Sequence, residues 1–290
     1  MDPISYFQAV VLGVLQGVSE LFPISSLGHS VVLPALFGWN IHQNDEYFVT
    51  FLVATHAATA LVLLGFFWAD WVRIVRGLLR SLREREIRAD DTDAKLGWLI
   101  VVATIPAGLL GLLLEHPLRH LFASAQTAAI FLFVNGLMLF GAERLRRKAP
   151  EFAPQGLRSD VVIALRLDFR KALGIGTAQA VALIPGLSRS GASMGGGLIA
   201  GLSNEDSARF AFLLATPIIG AAALLKLPEL FGPQGDRVRG QALVASLCAA
   251  VSAYFAVRFL LRFFETNRLT PFAIYCTVVG AALAIGFAIT

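Results

Sequence analysis

The chain has 290 residues, 56% hydrophobic and only 15% charged, which is too apolar for an ordinary water-soluble domain. Its net charge of +4 comes from Lys and Arg clustered between apolar runs. No basic face could track a phosphodiester backbone, so nucleic acid is excluded as a partner. The two cysteines, Cys248 and Cys276, each lie inside a long apolar run, which excludes a disulfide framework or thiolate cage and leaves them as packing residues.

The chain opens on Met1-Asp2-Pro3, and its first Lys or Arg is Arg73. Without a basic leader region no cleaved secretory signal is expected, and the start of the chain stays. The first element, 4–37, is too short in its apolar runs to cross a bilayer: Val10–Val18 leads into Glu20, Phe22-Pro23 and Ser25-Ser26-Leu27-Gly28-His29 before apolar residues resume at Val31. It reads as a helix–break–helix hairpin. Three spans follow at 47–68, 96–115 and 122–143. A second hairpin, 172–203, runs from Ala178–Ile184 through Pro185-Gly186-Leu187-Ser188-Arg189-Ser190-Gly191 into a Gly-rich apolar stretch. Spans at 208–227, 241–262 and 271–289 complete the chain.

The fold class is therefore an all-α integral membrane protein of six transmembrane helices plus two re-entrant hairpins, one membrane domain over 1–290. Hairpin plus three spans occurs twice, as 1–143 and 144–290, and an odd number of crossings inverts the second repeat relative to the first. Non-helical backbone at membrane depth survives only where protein buries it or a wet cavity receives it, so the breaks point at a site, facing each other. Charge orients the layout. Segment 69–95 carries seven Lys or Arg and segment 144–171 carries eight, including Arg147 and Lys148, while the turn at 116–121 holds only Arg119. The two basic segments are expected in the cytoplasm, and the turn and both termini outside.

An ionisable group within a bilayer costs about 2.5–3.5 kcal/mol on insertion scales, so Glu20 and Arg189 in the two breaks are candidate functional residues. Arg189 offers fork-shaped donors, and Ser25, Ser26, Ser188 and Ser190 offer hydroxyls. The helices that follow the breaks present N-terminal N–H groups, an environment suited to phosphate oxygens. The plainer reading is an internal Glu–Arg strut, which needs no cluster of hydroxyls. His29, three residues after Ser26, shares a helix face with it; a structural hydrogen-bonding role competes with a catalytic one. Gln16 and Glu20, four apart, could hold a divalent cation or a water, although one carboxylate is a weak metal signal. Gly191, Gly195, Gly197 and Gly201 read as close helix packing, and Ser203 with Asp206 as a helix N-terminal cap. His56 and Asn135 read as span residues satisfied by neighbouring helices, with His56 lining the cavity if its face turns inward.

These residues carry a resemblance. Gln16-Gly17-Val18-Ser19-Glu20 is similar to a Glu/Gln-x-x-x-Glu element, Pro23-Ile24-Ser25-Ser26-Leu27-Gly28-His29 to Pro-x-Ser-Ser-x-Gly-His, and Pro185–Gly191 to Pro-Gly-x-Ser-Arg-Ser-Gly. All are signatures of the undecaprenyl-diphosphate phosphatase family of the bacitracin-resistance type. The likeness extends along the chain through Ala103–Gly108 and Phe212–Pro217. It implies hydrolysis of a polyprenyl diphosphate to the monophosphate, recycling a lipid carrier for cell-wall synthesis and conferring bacitracin resistance. It further implies a multi-pass protein of the bacterial plasma (inner) membrane, with its site facing the periplasm or exterior. Carried over by position, it assigns catalytic roles to Glu20, Ser26, His29 and Arg189, and places Gln16 at the edge of the site. Ser25, Ser188, Ser190 and Gly186 complete the expected substrate contacts. A divalent cation, Mg or Ca, is expected on Glu20 with Gln16. Membrane lipids and a second copy of the chain, in a homodimer, are carried as partners. Two departures stand out: Gln16 replaces a second glutamate, weakening a two-carboxylate metal site, and Leu27 replaces threonine.

Two other function classes fit parts of the pattern. A lipid flippase or anion transporter shares the inverted repeat but needs no candidate nucleophile. An intramembrane serine protease would use Ser26 and His29, but a peptide carbonyl calls for neutral N–H donors and not a fixed guanidinium.

Overall fold

The computed structural model describes residues 4–39, 41, 45–121, 124–146 and 156–289, with the side chains of 114–121 and 233–234 not described. The expectations for Met1-Asp2-Pro3, the Arg119 side chain, Arg147 and Lys148 lie outside the described residues. Six helices are long and apolar enough to cross a membrane: α3 (Glu46–Phe66), α5 (Thr92–Leu121), α6 (Ala125–Arg146), α10 (Asn204–Lys226), α12 (Arg239–Thr266) and α13 (Thr270–Ile289). The shorter pairs are α1 (Tyr6–Ser19) with α2 (Ser26–Leu36), and α8 (Phe169–Val181) with α9 (Arg189–Ile199). At 14, 11, 13 and 11 residues, none reaches the roughly 20 needed to span, which is consistent with re-entrant hairpins.

Three local expectations are corrected. Segment 69–95 is mostly helix, α4 (Trp68–Glu84), because its apolar residues recur at helical spacing beside its arginines. The stretch 116–121 is the end of α5 and not a turn. The second basic segment contains the short helix α7 (Ser159–Arg166), and a 3-10 turn, Leu227–Phe231, and the short helix α11 (Pro233–Asp236) precede α12. Ser203 caps α10, accepting from the Asp206 N–H at 3.0 Å.

The halves interlock. α1 lies along α12 and α8 along α5, α6 packs on α13, and α3 on α10 and α12. Gly17 makes one of these contacts possible: a Cβ there would sit 2.2 Å from the Ala249 carbonyl of α12. Gly191 and Gly195 of α9 face Leu139 and Ala142 of α6. α10 runs through the centre, burying Phe210, Phe212, Leu213 and Leu214, and so ties both halves into one apolar core.

At the basic end, Asp160 of α7 is buried and accepts from Arg209 at 2.6 Å, Arg158 at 2.7 Å and Arg73 at 2.9 Å. Arg209 also reaches Asp70 at 2.7 Å, so the cluster joins α4, α7 and α10. Burial pushes the Asp160 carboxyl up, but hydrogen bonds and charge from Arg209 and Arg158 outweigh it and hold the group below the usual carboxylate range. Because the folded value is lowered, its stabilisation is present above the ordinary carboxylate range and lost as pH falls through the lowered value. Asp160→Asn is expected to cost about 3 kcal/mol at neutral pH by removing the buried carboxylate that compensates the partly buried guanidinium groups of Arg73 and Arg209, and to matter less in acid. Thermal unfolding in detergent across pH measures this; equal midpoints at neutral pH would show that the cluster contributes nothing.

Candidate active site

Each break delivers its functional side chain on the first residue of the following helix: Ser26 opens α2 and Arg189 opens α9. Ser25 and Ser188 are the N-caps, accepting from the Gly28 and Gly191 N–H groups at 3.2 and 3.1 Å. Ser25 holds φ of 69°, a conformation rare for a non-glycine residue that locally tilts the chain into α2. Gly186 holds φ of 96°, and a Cβ there would meet the Ala128 carbonyl of α6 at 2.3 Å. Its requirement is therefore steric, and it is absent from the lining of the site cavity.

The two breaks satisfy each other's backbone. Ser190 Oγ donates to the Phe22 carbonyl at 3.0 Å and shares a 3.0 Å hydrogen bond with Ser188 Oγ. Asn135 of α6 spans both, donating through Nδ2 to the Pro23 carbonyl and accepting the Ser188 N–H at Oδ1, each at 2.9 Å. These contacts supply partners that non-helical backbone within a membrane requires.

Glu20 sits at the convergence and is buried. Its Oε1 accepts from Arg189 Nη2 at 2.8 Å. Its Oε2 accepts from Ser26 Oγ at 2.6 Å and from Gln16 Nε2 at 3.0 Å. His56 of α3 does turn inward, with Nε2 3.2 Å from Glu20 Oε2. Its Nδ1 lies 2.8 Å from the Leu52 carbonyl, which can only accept, so Nδ1 carries a hydrogen. The Nε2–Oε2 contact is a hydrogen bond only when a proton lies between the two groups. Among the described residues, Arg189 Nη1 and Gln16 Oε1 are buried with no hydrogen-bond partner, one donor and one acceptor beside the carboxylate.

His29 is placed differently from the expectation of a base beside Ser26. Its Nδ1 meets the Ser25 carbonyl at 2.7 Å and its Nε2 meets Tyr275 Oη at 2.8 Å, with the two rings stacked 5.8 Å apart. Both nitrogens are engaged, and the ring braces the cap of α2 against α13. The structure brings Gln16, Glu20, Ser26 and Arg189 together, adds His56 and Asn135, and leaves His29 as a brace. The sequence signal for the additions is weak: both are polar residues in apolar spans, and only packing decides which way they face.

The cavity over these groups measures about 320 Å³ and is lined by Glu20, Ser25, Ser26, His56, Ser188 and Arg189 on one wall. Its other walls are apolar, with Phe48, Val49, Leu52 and Val53 from α3 and Ile218, Ile219, Ala222 and Ala223 from α10. A charged floor under apolar walls suits an amphiphile whose anionic head meets Arg189.

The family model of the bacitracin resistance protein BacA matches residues 9–282. The chain belongs to the BacA family. It is 48% identical over 303 residues to an undecaprenyl-diphosphatase of Mycolicibacterium paratuberculosis, covering 99% of this chain and 98% of that one. It is 44% identical over 344 residues to undecaprenyl-diphosphatase 2 of Frankia alni, with both chains covered in full. Undecaprenyl-diphosphatase 2 of Burkholderia ambifaria is 42% identical over 272 residues, 93% of each chain. Among the described residues, both breaks close over a single glutamate, to which Gln16 Nε2 donates at 3.0 Å.

Proposed function

We infer that this protein hydrolyses undecaprenyl diphosphate to the monophosphate and inorganic phosphate. The observation that carries the reading is the 2.6 Å contact between Ser26 Oγ and Glu20 Oε2, a nucleophile donating to a base, with Arg189 on the opposite carboxylate oxygen. The names of its relatives point to the same substrate. A flippase would need the anion clamp but not the Ser26–Glu20 pair.

Ser26 Oγ attacks the terminal phosphorus while Glu20 takes its proton. The P–O anhydride bond breaks, and the prenyl monophosphate leaves with the bond electrons. Glu20 returns the proton to the departing oxygen and then takes one from water, which attacks the phosphoserine; the P–Oγ bond breaks, phosphate is released, and Glu20 gives that proton back to Ser26 Oγ. Arg189 stabilises charge on the terminal oxygens, and its unpartnered Nη1 is the donor available for them. The prenyl chain lies along the apolar walls of α3 and α10. Every protein group in the sequence of steps comes from one chain.

A divalent cation fits this arrangement in one way. Gln16 Oε1 is a buried acceptor with no partner next to Glu20, and among the described residues no three His, Cys, Asp or Glu side chains form a cage. Gln16 and Glu20 would hold the ion. When bound, it adds to the neutralisation of phosphate charge. The basic end, with α4 and α7, faces the cytoplasm of a bacterium's inner membrane, and the cavity faces the periplasm.

Rapid acid quench with substrate labelled at the terminal phosphate, followed by mass spectrometry of the peptide containing Ser26, tests the serine route. The expected result is covalent phosphate on Ser26 during turnover and a loss well beyond tenfold in Ser26→Ala. An unlabelled Ser26, together with Ser26→Ala turning over at more than about a tenth of the normal rate, would leave water as the nucleophile and Ser26 as a hydrogen-bond donor.

A further inference from the structure

The active site makes no use of α4, yet α4 is unusually constrained. It follows α3 with only Phe67 between them, and the chain returns within a few residues to α5. Both of its ends are thus tied to the ends of spanning helices, which sets α4 at the edge of the bilayer. One face is packed. A Cβ on Gly77 would lie 2.5 Å from the Ala94 N of α5, and Trp98 Nε1 donates to Ser81 Oγ at 2.9 Å.

Another face is bare. Trp68, Val75, Leu79 and Leu82 are 60%, 45%, 61% and 57% exposed, and their spacing of seven, four and three residues places them on one stripe. Arg76 and Arg83 border it, each one position beyond a stripe residue. Other arginines of this helix are paired: Arg73 with Asp70 and Asp160, and Arg80 with Asp91 at 2.6 Å. Among the described residues, Arg76 and Arg83 have neither a salt bridge nor a hydrogen bond.

We propose that α4 lies in the plane of the membrane surface, its stripe in the acyl boundary and Arg76 and Arg83 holding the phosphate headgroups of anionic phospholipids. A tryptophan-containing apolar stripe flanked by free guanidinium groups is the complement of such a leaflet: tails meet the stripe, and charged phosphates meet donors at headgroup height. The same helix bears Asp70 and Arg73 on its packed side, so lipid held on the bare face would restrain the helix that carries the charge cluster tying α4 to α7 and α10.

The test uses the full chain reconstituted in mixed phosphatidylglycerol and phosphatidylcholine of equal chain length, then released for native mass spectrometry to count retained lipids. The wild type is expected to retain phosphatidylglycerol preferentially. Arg76→Gln combined with Arg83→Gln should lower that preference by about 30-fold, roughly fivefold for each arginine. Arg170→Gln with Lys171→Gln, which removes the same charge from the start of α8, should leave it nearly unchanged. Val75→Ser with Leu79→Ser should reduce retention of both lipids without altering the preference. Equal losses in the two charge variants would mean diffuse surface charge and overturn the site, as would no loss in either. A dimer that dissociates on Val75→Ser with Leu79→Ser, with no lipid preference, would instead assign the stripe to a second copy of the chain and overturn the proposal.

Discussion

Glu20→Gln is expected to lower phosphate release from undecaprenyl diphosphate by about 10²–10⁴, the range for loss of a positioned general base. Among the described residues, the carboxylate alone contacts Ser26 Oγ, Gln16, His56 and Arg189 together. An amide of the same size keeps one acceptor oxygen but turns an NH2 group toward donors, so either the Ser26 contact or the Arg189 contact meets another donor. His56 Nε2, 3.2 Å from Oε2, also loses its carboxylate partner. Single-turnover phosphate release measures the chemical step, and the thermal midpoint in detergent separates it from misfolding, because an unpaired Arg189 would also destabilise the protein. Glu20→Asp, which keeps the charge on a shorter arm, should recover part of the midpoint with little of the rate. A glutamine variant that retains more than about a tenth of the rate would remove Glu20 from the proton-transfer step.

Arg189→Lys is expected to cost about 10²–10³ in rate even though the charge is retained. The guanidinium does two things at once. Nη2 occupies Glu20 Oε1 at 2.8 Å, while Nη1 remains buried and unpartnered, ready for a phosphate oxygen in the fixed plane of the same fork. A lysine ammonium is a point charge on a flexible stem and cannot hold both partners in that geometry. The protein should remain folded, since the ion pair to Glu20 can still form. The loss should therefore appear in the rate of the chemical step, with a small change in the thermal midpoint. Turnover near that of the wild type would reduce Arg189 to a structural ion-pair partner of Glu20.

The BacA-family match and the six spanning helices agree with what the motifs and apolar runs imply. The reason is that these signals are local. A run of about 20 apolar residues cannot sit elsewhere than in lipid or core, and Pro-Gly and Ser-Ser steps interrupt helices through their own backbone preferences. Boundaries moved by a few residues because polar caps such as Ser203 extend helices beyond their apolar stretches. α4 was hidden for a related reason: its arginines dominate its composition, while its helical stripe emerges only from spacing.

The candidate site divides along the same line. Gln16 and Glu20, four residues apart, and Ser26, six residues beyond Glu20, lie within reach of each other by chain connectivity, and their types alone mark them for proton and phosphate chemistry. That Arg189 meets Glu20 across 169 positions was legible only through the repeated break. Nothing local indicates that Asn135 would clasp Pro23 and Ser188, that His56 would face Glu20, or that Tyr275 would engage His29. A polar residue in a spanning helix must find a partner, because lipid offers none, and that much the amino-acid sequence determines by itself. Which partner it finds depends on the rotation of each helix about its axis. That rotation is set by close contacts such as Gly17 on Ala249 and Gly191 on Leu139, and these exist only once the two halves have packed together.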